Sequence, residues 1–437
     1  MNRHKLGLIL AASGLLFGLC FAAGAQPLVE VIRIDGIINP ISSKFIVESI
    51  QRAEEDKAEC LVIQMDTPGG LMESMRSVVK EMLSARVPVL VYVWPSGARA
   101  ASAGVFITLA AHIAAMTPGT NIGAAHPVSL GSAQDSTGAK TMMDKLTNDA
   151  AASIRSIANK RGRNAQWAEK AVRESVSITA REALKLGVID IVCEDLSELL
   201  RTINGRKVKL PSGQRILHTG NARIERIQMN FRYRILDKIS NPNIAYILLM
   251  LGIYGIFFEL ANPGSILPGV AGAIFLILAF FALQTLPINY AGLLLILLAI
   301  VLFILETQIP SHGILTIGGI ISMGLGSIML INVQASFLRI SWGVIIPAVI
   351  ATAAFFLFAV GMGLHIQRRK PTTGAEGLVG EIGVALTRIG PTGKVAIHGE
   401  IWEAVSDQKI RKGEKILVIG VNRLRLRVSR SNPGDRE

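Results

Sequence analysis

Short apolar runs alternate with amphipathic segments along the first half of the chain. The runs "LVEVIRIDGII", "CLVIQMD" and "VPVLVYVW" are rich in β-branched residues and predict strands. The segments "SSKFIVESIQRAEEDKA" and "LMESMRSVVKEMLSA" carry apolar residues at helical spacing and predict helices. Because strands that alternate with helices favour parallel pairing, residues 26–225 are predicted to form an α/β domain.

The second half contains five long apolar runs, which cover residues 244–261, 267–286, 290–305, 313–332 and 341–366. A helix that crosses a membrane needs about 20 apolar residues. The pattern therefore predicts an α-helical transmembrane region over residues 244–366, with a basic linker before it at 226–243. The third run is short, so a re-entrant hairpin is the alternative there.

The two ends of the chain have patterns of their own. Residues 1–25 combine a basic start, an apolar stretch and the small residues "AGA", which predict a secretory signal peptide; an uncleaved anchor helix is the alternative. Residues 372–437 alternate short strand-like runs with glycine-containing turns and predict a small all-β barrel.

Two glutamates interrupt the apolar half at corresponding places. Glu259 and Glu306 each precede a proline by four residues, and a glycine-containing apolar run follows each of them. An acid within a membrane is a candidate functional group. We favour the alternative, in which each glutamate lies at the membrane interface and helps to build a helix hairpin.

Composition and charge narrow the function classes. Half of the residues are apolar and 18% are charged, which favours a membrane protein, and the net charge of +13 favours anionic lipid over nucleic acid. The barrel region has Trp402 as its one aromatic residue, which argues against base stacking and nucleic-acid binding. The three cysteines have no metal-site spacing and no GxxxxGK[ST] motif is present, so we expect no metal, no cofactor and no ATP dependence.

The candidate chemistry lies in two turns that follow predicted strands. In parallel sheets, sites lie beyond the carboxyl ends of the strands. Ser102, in "SGARAASAGVF", is surrounded by small residues and is a candidate nucleophile, although a serine among small residues is more often a turn residue. In the turn "DTPGG", the N–H groups of Gly69 and Gly70, together with that of Ala103, are candidate donors to an oxyanion.

A serine nucleophile needs a base, and several residues are candidates. Of the histidines, His126 lies in a loop near the predicted sheet end, His112 is expected to be structural, and His218 has no motif around it. A desolvated lysine can also serve as a base. Lys145 is predicted near the start of a long helix, where a solvated surface charge is the alternative.

The segments "MDTPGG", "GARAASAGVFITLAAHIAAMTPGTNIGAAHPV" and "KLTNDAAASIRSIANKRGRNAQWAEKAV" resemble the long form of the NfeD (nodulation efficiency) family. The family consists of membrane-bound serine proteases whose N-terminal domain resembles ClpP and the crotonases. The resemblance implies a Ser–Lys dyad of Ser102 and Lys145, with Lys140 as the fallback base. It requires no catalytic role of His126, which is expected to be structural or to line the substrate site.

The resemblance further implies a C-terminal OB fold, stomatin/SPFH-type membrane partners and a peptide or protein substrate. We expect a multi-pass inner-membrane protein that forms a homo-oligomer. Its protease domain would be extracytoplasmic and its C-terminal domain cytoplasmic, because an odd number of spans precedes the basic residues at 368–370. The alternatives are a non-catalytic membrane scaffold that partners SPFH proteins and a crotonase-like acyl-transfer enzyme.

Overall fold

The structure is a computed structural model that describes residues 26–128, 137–261, 264–284, 286, 288–309, 311, 313–331, 333, 338–367 and 375–431. The predicted signal peptide and the basic residues at 368–370 lie outside these residues. Two compact units make up the chain, Met1–Ile304 with Gly318–Ala351 and Leu305–Ile317 with Thr352–Glu437. The α/β domain lies in the first unit and the barrel in the second.

A six-stranded parallel sheet forms the centre of the α/β domain. Its strands, in spatial order, are β11 (Arg223–Ile227), β1 (Leu28–Asp35), β2 (Cys60–Asp66), β3 (Val89–Val93), β5 (Ile113–Met116) and β8 (Ile191–Val192). The strands β2 and β3 are almost entirely buried, because helices cover both faces of a parallel sheet. The predicted parallel α/β domain is confirmed.

Helices pack on both faces of this sheet. They are α1 (Pro40–Glu55), α2 (Met72–Ser84), α3 (Ala103–Ala110), α4 (Thr137–Arg161), α5 (Ala165–Arg173), α6 (Ala180–Lys185) and α7 (Leu196–Ile203). The side chains of α1 to α6 and alternate residues of β1, such as Ile32, form the larger apolar core. Leu199 and Leu200 of α7 pack against Val29 and Val31 on the opposite face.

In the described part of the α/β domain, five short strands lie outside the central sheet, and the hydrophobic pattern does not predict them. A second sheet contains β4 (Arg99–Ala101), β6 (Asn121–Gly123) and β7 (Ser177–Thr179), while β9 (Lys207–Leu210) and β10 (Gly213–Ile216) form a hairpin. Strands of three or four residues are too short for an alternating pattern to be recognised. The strand β4 leads directly into the turn that contains Ser102.

The segment 226–243, expected to be a basic linker, contains the end of β11 and the helix α8 (Phe231–Ile239). Helix α8 packs on the α/β domain. The Asn39 side-chain amide donates to Asp237 at 2.8 Å, and the Tyr233 hydroxyl donates to Glu48 at 2.8 Å. These bonds fix the approach of the chain to its apolar half.

Five apolar helices follow, where five apolar runs were found in the sequence. They are α9 (Pro242–Ala261), α10 (Leu267–Gln284), α11 (Tyr290–Gln308), α12 (Ile314–Leu330) and α13 (Trp342–Gln367). Among the described residues, Pro242–Leu260 and Leu267–Gln284 are long and apolar enough to cross a membrane, and three shorter apolar helices accompany them. Large apolar side chains such as Ile277 and Leu294 are mostly exposed, which suits contact with lipid.

The ends of these helices meet in a pattern that indicates alternating directions. Asn289, before α11, donates its N–H to the carbonyl of Leu330 at the end of α12, at 2.8 Å. Ser341, before α13, donates its N–H to the Asn243 side chain in the first turn of α9, at 2.7 Å. Helices α9 and α13 therefore begin at the same end of the bundle.

Glu259 and Glu306 each stabilise the connection between two apolar helices. The Glu306 carboxylate accepts hydrogen bonds from the Ser311 hydroxyl and from the N–H groups of Gly313 and Thr316. The Glu259 carboxylate accepts from the N–H of Gly264 and the hydroxyl of Ser265 in the same way. These bonds satisfy donors at helix starts, as in side-chain capping, which agrees with a structural role in hairpins.

The C-terminal region forms a closed barrel after a 3₁₀ turn at Ala375–Leu378. Its five strands are β12 (Ile382–Ala385), β13 (Thr392–Ile397), β14 (Glu400–Val405), β15 (Lys415–Asn422) and β16 (Arg425–Arg430), in the spatial order β12-β13-β14-β16-β15. Alternate residues such as Val395, Ala404 and Val418 point into its core. The predicted small β-barrel is confirmed.

Candidate functional site

Ser102 occupies an unusual backbone position between β4 and α3. Its φ of 51° and ψ of −111° lie in a region that L-residues other than glycine rarely adopt. It stands at the N-cap of α3, yet its side chain does not cap the helix, as serine there usually does. Such strain costs on the order of 1–3 kcal/mol and is concentrated at functional sites. The conformation leaves the hydroxyl free of a structural role in the helix.

The turn of Ser102 is pressed against the turn "DTPGG" that follows β2. Thr67 donates its N–H to the carbonyl of Arg99 at 2.8 Å, and Ala101 donates its N–H to the carbonyl of Thr67 at 3.0 Å. A Cβ atom placed on Gly104 would lie 2.6 Å from Cγ2 of Thr67. Because glycine at position 104 permits this approach, the two turns predicted from sequence lie side by side at the carboxyl edge of the sheet.

The three predicted oxyanion donors differ in whether their N–H groups are already hydrogen-bonded within the protein. The N–H of Gly69 donates to the Thr67 hydroxyl at 3.1 Å, so it is engaged within its own turn. Gly70 forms a parallel bridge with Ile38, in which Gly69 O and Leu71 N face Ile38. The N–H of Gly70 therefore points to the other side, and that of Ala103 is in the first turn of α3, where donors lack helical partners.

Gly70, Ser102 and Ala103 line one partly open cleft with a free volume of about 90 Å³. The rest of its described lining is mostly apolar, namely Leu71, Met72, Met75, Phe106, Ala125, Pro127, Val128, Ala150 and Leu338, with His126 as the one ionisable side chain. An apolar cleft with few polar groups is typical of a site that binds a small ligand or a short segment. These apolar residues could not be predicted as site residues, because a methionine or phenylalanine on a helix face is typical of a buried core.

His126 has a defined tautomer. Its Nδ1 lies 2.8 Å from the carbonyl oxygen of Val172. Since a carbonyl oxygen can only accept, Nδ1 carries the proton and Nε2 of the neutral ring keeps its lone pair. The loop histidine expected to be structural or substrate-lining thus lies in the same cleft as Ser102.

The structure does not bring Lys145 into this cleft. Helix α4 begins at Thr137, so Lys145 lies in its third turn rather than near its start, and the side chain is exposed. The helix-terminus field, which falls off within the first turn, therefore does not act on it. Lys140 is also exposed, and the same helix reaches the cleft at Ala150.

Two arginines anchor the far end of α3. Arg163 is buried and donates to the carbonyls of Leu109 and Ala111, each at 2.7 Å, and to Asp190 at 2.6 Å. Arg161 donates to the carbonyl of Ala110 at 2.7 Å. Burial and the nearby Arg161 lower the pKa of His112 to about 3, so this histidine is neutral and structural, as expected.

Comparison with family models divides the chain into three parts. Residues 28–211 match the NfeD1b N-terminal domain, residues 243–362 the NfeD integral membrane domain, and residues 375–430 the NfeD-like C-terminal, partner-binding domain. The chain is thus a membrane protein with matching domains along nearly its whole length.

Individual relatives give a consistent picture. Membrane-bound protease PH1510 of Pyrococcus horikoshii is 37% identical over 419 residues, which cover 93% of this chain and 94% of the relative. Membrane protein NfeD1b of Bacillus subtilis is 27% identical over 439 residues, with 93% of both chains covered.

Two similar solved structures each cover about half of this chain. The 1510-N membrane-bound stomatin-specific protease, as a lysine-to-alanine mutant with a substrate peptide, is 37% identical, with 49% of this chain and 98% of that chain covered and a TM-score of 0.45. A serine-to-alanine mutant is 38% identical, with 46% and 98% covered and a TM-score of 0.43.

Proposed function

The chain belongs to the NfeD family and is a serine protease, and from that premise we propose that Ser102 and Lys145 form its Ser–Lys dyad. Ser102 is the nucleophile and Lys145 the general base. We assign a ClpP/crotonase-like fold to the α/β domain and an OB fold to the barrel, whose five strands agree with that architecture.

The backbone of Ser102 is the observation that carries this proposal. A strained serine at the start of a helix, with its hydroxyl not used as a cap and its neighbours small, is arranged to present that hydroxyl to a substrate. Apolar residues around it exclude water, which strengthens electrostatic interactions in the cleft.

In the proposed reaction, the hydroxyl oxygen of Ser102 attacks the carbonyl carbon of a peptide bond while Lys145 takes the hydroxyl proton. The N–H groups of Gly70 and Ala103 bind the oxyanion, whereas Gly69 shapes the turn through its bond to Thr67. The amine leaves with the proton from Lys145, and water then hydrolyses the acyl-enzyme. This scheme consumes no ATP and needs no cofactor.

Two residues are candidates for the general base. Lys145 must approach Ser102 from its exposed position on α4, whereas His126 already lines the cleft and uses Nδ1 for its bond to the Val172 carbonyl. The family resemblance favours the lysine, and the geometry of the described residues favours the histidine. Variants of Lys145 and His126 distinguish the two.

The apolar cleft suits hydrophobic segments of membrane-associated proteins as substrates. By analogy with the stomatin-specific relative, we propose a stomatin/SPFH-type protein as substrate or partner, bound also through the C-terminal barrel. We also propose that the protease domain is extracytoplasmic and the barrel cytoplasmic. If each of the five apolar helices crosses the membrane once, the two ends of the chain lie on opposite sides. A homo-oligomer is proposed as the working assembly.

The test is peptide cleavage and fluorophosphonate labelling by the full-length protein in lipid nanodiscs. Ser102→Ala should abolish both signals, because covalent catalysis loses orders of magnitude without its nucleophile. Ser96→Ala is the matched control, since Ser96 lies in the turn before β4 and its hydroxyl donates to the carbonyl of Pro118 at 2.8 Å. Undiminished cleavage by Ser102→Ala would refute the assignment of this site.

The base is identified by three further variants. Lys145→Ala should reduce kcat/KM by orders of magnitude, and Lys140→Ala, on the same helix and also exposed, should leave it nearly unchanged. His126→Gln should have a smaller effect, mainly on KM. If His126→Gln abolished cleavage while Lys145→Ala did not, the dyad would be Ser–His.

A further inference from the structure

One wall of the Ser102 cleft comes from the membrane region. Leu338 lies in the connection between α12 and α13, more than 200 positions after Ser102 in the sequence, and it lines the same cleft. Its side chain is 3% exposed, so it is packed rather than a surface residue that passes nearby. The substrate cleft is therefore assembled from two regions of the chain.

A hydrogen bond fixes this part of the connection to the start of α9. Within the connection itself, Arg339 donates from Nε to the carbonyl of Val333 at 2.5 Å. Two residues further on, the N–H of Ser341 donates to the Asn243 side chain. Asn243 lies in the first turn of α9, shortly after α8. In α8, Asp237 accepts a hydrogen bond from Asn39 of the α/β domain. A continuous set of bonds thus joins Leu338 to the domain that carries Ser102.

Leu338 also limits the space beside the nucleophile. The free volume of about 90 Å³ is that remaining with Leu338 in the wall, together with methionine and phenylalanine side chains of α2 and α3. Since interiors are close-packed, one methylene more or less in such a wall changes what fits. A leucine rather than a polar residue also keeps this wall apolar.

We propose that Leu338 is a specificity-determining residue, which limits the size of the apolar substrate side chain bound beside Ser102. The membrane region thereby selects apolar segments that reach the protease domain at the membrane surface. This inference rests on the proposed protease function and adds to it that the membrane helices take part in substrate selection, besides anchoring the enzyme.

The first experiment compares full-length wild type, Leu338→Ala and Leu338→Phe in nanodiscs. The substrates are fluorogenic peptides that differ at one apolar position next to the scissile bond, from alanine to tryptophan. Leu338→Ala should raise the ratio of kcat/KM for large over small side chains about tenfold, the order expected for a few methylene groups. Leu338→Phe should shift the ratio in the opposite direction.

Ile340→Ala is the matched control. Ile340 is buried to a similar extent, 7% exposed, and lies in the same connection, but it is not among the cleft-lining residues. The control should lose a similar amount of stability and keep the wild-type preference. An identical preference profile for all three Leu338 proteins, or a shift in Ile340→Ala as large as in Leu338→Ala, would overturn the proposal.

A second readout uses labelling rates with ethyl and octyl fluorophosphonates, which report the space around the nucleophile without a peptide. The octyl-to-ethyl rate ratio should rise in Leu338→Ala and fall in Leu338→Phe. Failure of wild type to react with either probe would count against the proposed function. Reaction of wild type with no change of the ratio in the variants would count against Leu338 alone.

Discussion

Replacing Glu30 by glutamine is expected to stabilise the protein above pH 7 and to leave its stability unchanged below about pH 4.5. Glu30 lies on β1 with its side chain fully buried, and neither carboxylate oxygen has a hydrogen-bond partner among the described residues. Burial raises its pKa from 4.5 to about 7, and the neighbouring Asp56 carboxyl adds to this, against the opposing effect of Arg52.

The sign and size follow from the two pKa values. Between pH 4.5 and 7 the folded protein keeps a proton that the unfolded chain has lost, so this contribution to stability is complete below pH 4.5 and disappears as pH rises through 7. A difference of about 2.5 pKa units corresponds to roughly 3 kcal/mol at 1.36 kcal/mol per unit. Glutamine carries no charge at any pH and avoids that loss.

Thermal unfolding of the full-length protein between pH 4 and 8 is the measurement. At roughly 2–4 °C per kcal/mol for a domain of this size, Glu30→Gln should unfold about 6–12 °C higher than wild type at pH 8. Asp35→Asn is the control, because Asp35 lies on the same strand in an exposed ion pair with Arg33. A Glu30→Gln protein less stable than wild type at pH 8 would show that the 3.5 Å contact with Arg52 outweighs burial.

Two further variants test the support of α3. Arg163→Ala should cost about 3 kcal/mol in urea unfolding, because the buried Arg163 guanidinium is the charged partner of the half-buried Asp190 carboxylate and donates to two carbonyls. Arg206→Ala, which removes the exposed partner of Asp190 at 3.4 Å, should cost under about 1 kcal/mol. Equal costs would contradict the burial argument. Gly104→Ala should lower the free energy of unfolding by roughly 1–3 kcal/mol, because the added methyl group contacts Thr67. It should also reduce fluorophosphonate labelling of Ser102. Full labelling would show that the turn tolerates the displacement.

Much of the fold could be predicted from the sequence, because its central strands are continuous apolar runs. The strands β1, β2 and β3 and the helices α1 and α2 carry strong periodicity and lie where they were predicted. Strand β11 escaped notice because it alternates charged and apolar residues beside the membrane region and pairs with β1 from the other end of the domain. Such long-range pairing leaves no local pattern.

The candidate site could be predicted only in part. Ser102, Gly70 and Ala103 follow from turn chemistry at strand ends, and the structure places them in one cleft. The sequence does not locate the start of α4, because the residues from Thr137 onward show no apolar periodicity. Lys145 was therefore predicted too near the helix end. Leu338 could not be found, since nothing in a short apolar stretch between two apolar runs indicates contact with a distant domain.

The position of β11 has a consequence for synthesis of the protein. Strand β1 ends at Asp35, but its neighbour on one side begins only at Arg223, shortly before the first apolar helix. During synthesis one edge of β1 therefore stays open until almost the whole domain has left the ribosome, and an open edge invites pairing with other chains. The sheet is completed only shortly before the first membrane helix is synthesised. Closure of the sheet and membrane insertion therefore follow one another closely, and we expect chaperones to be needed most just before these two steps.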